Sequence, residues 1–228
     1  MYSSCLPGGS KPVTEVTFMS NLFNLDSPFF RFLASVFDYM VLNVLALLLS
    51  LPVFTAGASL TALYRVVLDA FREEDSVSPK AFWGYWKASF RTATLPWLLF
   101  LALAALFLGD LRIIGFMPEG IRTFMAGGVI LLFLLLLCVS LFYFPLLSAN
   151  PTRKFRPLLH ASFIRSIGLL PRTVCLAVLW LLPGTLFLFL PKIFIALTFV
   201  WVLIWFSLAA NLSCRLIRGY LILEDPEE

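Results

Sequence analysis

Apolar residues fill this chain in long runs, and the sparse polar positions mark where each run must end. From Tyr39 to Tyr64 the sequence YMVLNVLALLLSLPVFTAGASLTALY carries no charge. Crossing ~30 Å of hydrocarbon takes roughly 20 apolar residues at a rise of ~1.5 Å each, so its first part is long enough to span a bilayer. Pro52 has no N–H to donate and clashes with the preceding turn, so the helix is expected to kink or stop there. The small residues that follow, Thr55-Ala56-Gly57-Ala58-Ser59, suit a close helix crossing, with Gly57 at its centre. The run therefore reads as a span, a break, and a second helix that leaves the bilayer.

The same pattern predicts the remaining elements. Asp26-Ser27-Pro28 is an N-cap followed by proline at the first helical position, leading into a span at 33–54. Leu60 to Phe71 is helical in pattern and closes on the charged run Arg72-Glu73-Glu74-Asp75. Ser78-Pro79 starts another helix, on which Lys80, Gly84, Lys87 and Arg91 recur at helical spacing while Phe82, Trp83, Trp86 and Phe90 cover the other side. A basic face opposite an aromatic face fits a helix lying among lipid headgroups, or one packing its aromatics on other spans. Further spans are expected at 93–109, 124–146, 173–190 and 193–216. Pro145 sits near the end of the third as Pro52 does in the first, and Asn150-Pro151 reads as a cap and first helical residue.

The expected fold is thus all-α, a polytopic transmembrane helical bundle of about five spans with interfacial or cytoplasmic amphipathic helices. Residues 1–18 are expected to be a disordered extension or a start-site artefact, with Met19 as an internal start. Residues 19–220 form a single integral membrane domain, and 221–228 an acidic tail. Both long connections end alike: Lys87-Ala88-Ser89-Phe90-Arg91 leads to Leu95-Pro96, and His160-Ala161-Ser162-Phe163-Ile164-Arg165 leads to Leu170-Pro171. This suggests a parallel internal repeat of span, helices, span, or interfacial helices converging on similar residues.

Composition sharpens the class. A hydrophobic fraction of 61% with 13% charged residues lies far from the soluble norms of about 45–50% and about 25%. The 17 basic residues are unevenly placed: the connections 57–92 and 148–172 hold 5 each and the C-terminal end 2, against 5 elsewhere. Positive residues resist translocation, so both connections and the C-terminus are expected to be cytoplasmic in a cell membrane. Five spans would put the N-terminus outside. Nothing resembles a basic nucleic-acid surface.

Candidate chemistry is thin. Cys5, Cys138, Cys175 and Cys214 lack paired spacings, so buried free thiols are expected rather than disulfides or zinc, and His160 is the lone histidine. There is no phosphate loop, nucleophile elbow, zinc-protease helix or carboxylate pair within a span. The chain is therefore expected to be no enzyme and to hold no cofactor or metal. Ionisable groups near lipid still merit a functional hypothesis. Asp110 and Lys192 sit at expected span ends and just reach water. Asp38, near Asn43 on the first helix, could pair with Arg31 or Arg215, or touch a ligand. The positions singled out are Asp38, Asn43, Pro52, Gly57, Lys87, Arg91, Arg165 and Arg215.

The stretches LFNLDSPFFRFL, Asp38 with Asn43, SLPVFTAGASLTALY, and the Ser-Pro-Lys and aromatic-lysine segment at 78–91 resemble the YesL-like family of bacterial membrane proteins, whose domain has no assigned function. The resemblance runs from Met19 to Tyr220 and departs at Leu25, where the family tends to have proline. It implies a start near Met19 and an accessory role beside carbohydrate ABC-uptake and two-component systems in Firmicutes, with no catalytic residue to carry over. Two functions are therefore expected to compete: a non-enzymatic accessory protein bound to a membrane transport complex or to a second copy, and a small solute transporter or channel in its own right.

Overall fold

A proline that cannot continue a helix sets the first structural event. In the computed structural model, which describes residues 28–73 and 78–221, helix α1 (Pro28–Ser50) ends two residues before Pro52. A 3-10 turn at Val53–Thr55 and helix α2 (Ala56–Glu73) follow. The Thr55 hydroxyl closes the break by donating to the carbonyls of Leu49 at 2.5 Å and Pro52 at 2.7 Å. Ser59 donates to the Ala46 carbonyl at 3.2 Å, so α2 doubles back along α1 as an antiparallel hairpin.

Then come α3 (Pro79–Ile114), α4 (Glu119–Ala149), α5 (Phe155–Gly168), α6 (Leu170–Phe189) and α7 (Pro191–Ala196). The last apolar run is composite: α8 (Thr198–Val200), a π-helical segment Trp201–Trp205, α9 (Phe206–Ile217) and a 3-10 turn to Tyr220. Among the described residues there is no strand. By backbone clustering residues from Asp38 onward form one unit, and everything below concerns that unit.

The core belongs to α2. Ala58, Ala62, Leu63, Tyr64, Val66 and Val67 are buried, and 61% of its apolar window is enclosed, against at most 39% in the other five helices able to span a membrane. Against the about five spans expected, with the helix after Pro52 leaving the bilayer, α2 adds one more candidate crossing. Six helices among the described residues are long and apolar enough to cross, and α2 is the sixth. Its mean hydropathy of 1.2 is low because Arg65, Asp69 and Arg72 ride on a helix that otherwise faces protein. The Tyr39 hydroxyl pairs with the Asn211 amide, and Arg215 lies 5.7 Å from the centre of the Phe71 ring. The Asp38 end of α1, the end of α2 and the end of α9 therefore share one end of the bundle.

Other elements shift in instructive ways. Helix α3 runs unbroken through Pro96, so the interfacial helix expected from Ser78 and the span expected at 93–109 are one rod. The matching pattern around Ser162 breaks instead, between α5 and α6, where Thr173 Oγ1 donates to the Ser166 carbonyl at 2.8 Å. The two halves of the suggested repeat thus share residues but not local conformation. Helix α4 passes through Pro145, with Ser148 donating to the Pro145 carbonyl at 2.7 Å. Asn150 does not open a helix at Pro151. It closes α4, its amide reaching the Leu146 carbonyl at 3.0 Å and the Leu221 carbonyl at 2.7 Å. The expectations for residues 1–18, Asp26-Ser27, Glu74-Asp75, Cys5 and the acidic tail beyond Leu221 lie outside the described residues.

Candidate functional site

Three features of the bundle could do work. The first is built on Asn43, which is fully buried. Its amide nitrogen donates to the carbonyls of Val202 at 2.6 Å and Trp201 at 3.2 Å. Its Oδ1 accepts the Ser207 N–H at 2.8 Å and the Ser207 hydroxyl at 3.3 Å. A π-helical turn skips the i→i−4 ladder and leaves peptide groups out of register, and a side chain inserted into that ladder is one of the recognised causes of a helix distortion. The Asn43 amide fits the gap as an extra peptide would, donating on one side and accepting on the other. In lipid, where no water can satisfy these groups, the match is worth more than packing alone.

The second is a cavity of about 360 Å³ between α1, α2, α3, α4, α6 and α9. Its walls include Ala46, Leu63, Tyr64, Trp97, Phe144 and Trp180, and Phe206 of the wall neighbours the Ser207 that Asn43 holds. Its polar groups are serine hydroxyls, the Tyr64 hydroxyl and the indoles. No charged side chain lines it. Trp97 is fixed there by donating to the Val53 carbonyl at 2.6 Å and by Phe144, edge-on at 5.7 Å. Gly57 makes this possible: a Cβ at that position would stand 2.5 Å from the Trp97 Cβ and 3.0 Å from the Ala93 carbonyl oxygen.

The third is the first half of α3. Lys80, Trp83, Gly84, Lys87 and Arg91 are exposed, whereas Phe82 is buried. Trp83 therefore departs from the expected aromatic side and joins the basic one. Its ring stacks on Trp86 at 5.3 Å and 12°, and the Lys87 ammonium sits 5.0 Å from its centre. Arg65 packs over Tyr85 at 4.8 Å, tying this half of α3 to α2.

The positions singled out from sequence separate into these features. Asn43 carries the first, Gly57 shapes the second, and Lys87 and Arg91 belong to the third. Pro52 is exposed at the hairpin tip. Asp38 is half-buried and, among the described residues, lies in no ion pair; the pairing with Arg215 is not formed, since Arg215 turns to Phe71. The Arg31 side chain lies outside the described residues. Arg165, half-buried on α5, has its guanidinium held below the ordinary value by burial. Asp110 is half-buried and Lys192 exposed. Cys138, Cys175 and Cys214 are free, with Cys214 buried but Cys175 exposed, and His160 is exposed. Among the described residues no group of metal-ligating side chains converges. Sequence reasoning did not find Ser207, the π segment, or Trp97 and Trp180 as cavity walls. A lone asparagine inside an apolar run was the one available signal.

Helices that leave Leu106, Phe124, Leu131, Val178 and Phe187 exposed while enclosing a serine- and aromatic-lined interior define a multi-pass helical membrane protein. A family model described as "Protein of unknown function, DUF624" matches residues 39–111, which covers the end of α1, the break, α2 and most of α3. No curated protein and no solved structure matches the chain.

Proposed function

We propose that this chain is a non-enzymatic accessory component that docks on a partner membrane complex serving carbohydrate uptake. The observation that supports docking is Trp83, 48% exposed yet in contact with the Trp86 ring and the Lys87 ammonium. It sits 12 residues, or about 18 Å of helix, before Leu95, where the same helix begins to expose leucines. An exposed tryptophan flanked by Lys80 and Lys87 has the make-up of an interface anchor, and the lysine charges suit an acidic partner surface. The carbohydrate association draws on the family resemblance alone.

Co-purification from native membranes in mild detergent, with and without sugar, tests the reading. A stoichiometric membrane partner is the expected result, and recovery of the chain alone under both conditions would overturn it. The alternative of an ion-coupled transporter draws no support from the cavity, whose walls carry no charged side chain to hold an ion. Sugar uptake by reconstituted vesicles that Asp38→Asn abolished would reverse that preference.

A further inference from the structure

A second surface on α3 begins one turn past Arg91, the last cation of the basic face, and carries a different chemistry. Along the exposed side of this helix the residues change abruptly from Lys80, Lys87 and Arg91 to Leu95, Leu98 and Leu99, which are 74%, 43% and 44% exposed. A helix face that passes from cationic to lipid-like within one turn crosses the headgroup boundary there. At this level Leu95, Pro96, Leu98 and Leu99 form an open groove of about 450 Å³ whose far wall is Phe155, the first residue of α5. The wall is firm: Phe155 packs on Tyr143 at 5.8 Å, and Tyr143 on Phe100 at 5.5 Å.

Among the described residues, the charged positions next to the groove walls in sequence are basic. Arg91 lies one helical turn before Leu95, and Lys154 and Arg156 flank Phe155, all three exposed. Among the described residues none of them lies within ion-pair distance of a carboxylate. Along the sequence, all three lie in the acid-free stretches 76–109 and 120–223. Three exposed cations, adjacent in sequence to the walls of an apolar trough, complement a molecule with a phosphate at one end and a hydrocarbon chain at the other.

We infer that this groove is a binding site for an anionic phospholipid, its acyl chain against Leu95, Leu98, Leu99 and Phe155 and its phosphate among Arg91, Lys154 and Arg156. The site needs both parts, because a free phosphate would meet only exposed cations and a zwitterionic lipid would gain little from them.

The test uses the full chain purified in mild detergent, titrated with phosphatidylglycerol, phosphatidylcholine and glycerol phosphate and read by native mass spectrometry and thermal stability. Phosphatidylglycerol is expected to be retained at one molecule per chain and to raise the melting temperature, while the other two do neither. The triple variant Arg91→Gln, Lys154→Gln, Arg156→Gln should weaken its retention by roughly a hundredfold, at about 1 kcal/mol per basic residue facing an anionic surface. Arg112→Gln with Arg122→Gln and Lys192→Gln removes equal charge elsewhere and should leave retention unchanged. Filling the trough with Leu98→Trp should lower retention with every charge in place. Equal losses in the two charge variants, equal retention of phosphatidylcholine, or stabilisation by glycerol phosphate alone would each overturn the assignment.

Discussion

The Oδ1 of Asn43 accepts the backbone N–H of Ser207 at 2.8 Å, across 164 residues of sequence. With the Asn43 amide donating to Val202 at 2.6 Å, one side chain bridges the peptide groups that the π segment Trp201–Trp205 puts out of step. The first helix and the last are joined by this insertion, and the central cavity lies beside it. The bundle is therefore organised around a polar contact buried where no water can replace it.

Asn43→Leu removes both halves of the bridge and strands the Val202 carbonyl and the Ser207 N–H. Leaving a buried group unsatisfied costs about 1–3 kcal/mol, so a clear loss of thermal stability in detergent is expected. Asn43→Asp keeps the shape and the acceptor but has nothing to donate to Val202 and Trp201, and it buries a charge. It should therefore be at least as damaging. Wild-type melting of either variant would show that the π segment holds itself.

Gly57→Leu drives a side chain into the Trp97 Cβ, which already stands 2.5 Å from where a Cβ would be. Overpacking of this kind costs typically 1–3 kcal/mol, and even Gly57→Ala should destabilise. Trp97→Ala opens the space, so Gly57→Ala in that background should cost less than it does alone. A double-mutant cycle on melting temperatures measures the coupling; strict additivity would mean the two residues do not meet.

Trp83→Ala alters an exposed residue, so stability should stay within about 0.5 kcal/mol while partner recovery falls sharply. An interface anchor is worth about 2 kcal/mol or more, equivalent to a drop of more than tenfold in affinity. Quantitative co-purification against wild type reads this directly. Undiminished recovery of the same partner would place the docking surface elsewhere.

Much of the fold was legible because its causes are local. The composition required lipid, Pro52 required a break, and Ser78-Pro79 marked the start of α3. What escaped was decided at long range. Helix α2 looked like a connection because Arg65, Asp69 and Arg72 lower its hydropathy, yet its remaining faces are enclosed by α3, α4 and α9. The distortion at Trp201 has no signature in WVLIW, since its cause is an asparagine about 160 residues earlier. Asn43 stood out as polar in an apolar run, but its partners did not. Trp83 was assigned to the wrong side of α3 because helical spacing places it between the two faces, and only the packing of Phe82 and the approach of Lys87 decide which way it turns.

The central claim is that α1 and α2 form an antiparallel hairpin within a membrane bundle, with the tip at Pro52 opposite the end that holds Arg72 and Arg218. Single cysteines placed at Pro52, Arg72, Arg153 and Arg218 in a cysteine-free background, labelled from each side of sealed vesicles with a membrane-impermeant thiol reagent, test it most directly. The account predicts that 72, 153 and 218 label from one side and 52 from the other. Labelling of 52 and 72 from the same side, or of 153 and 218 from opposite sides, would contradict it.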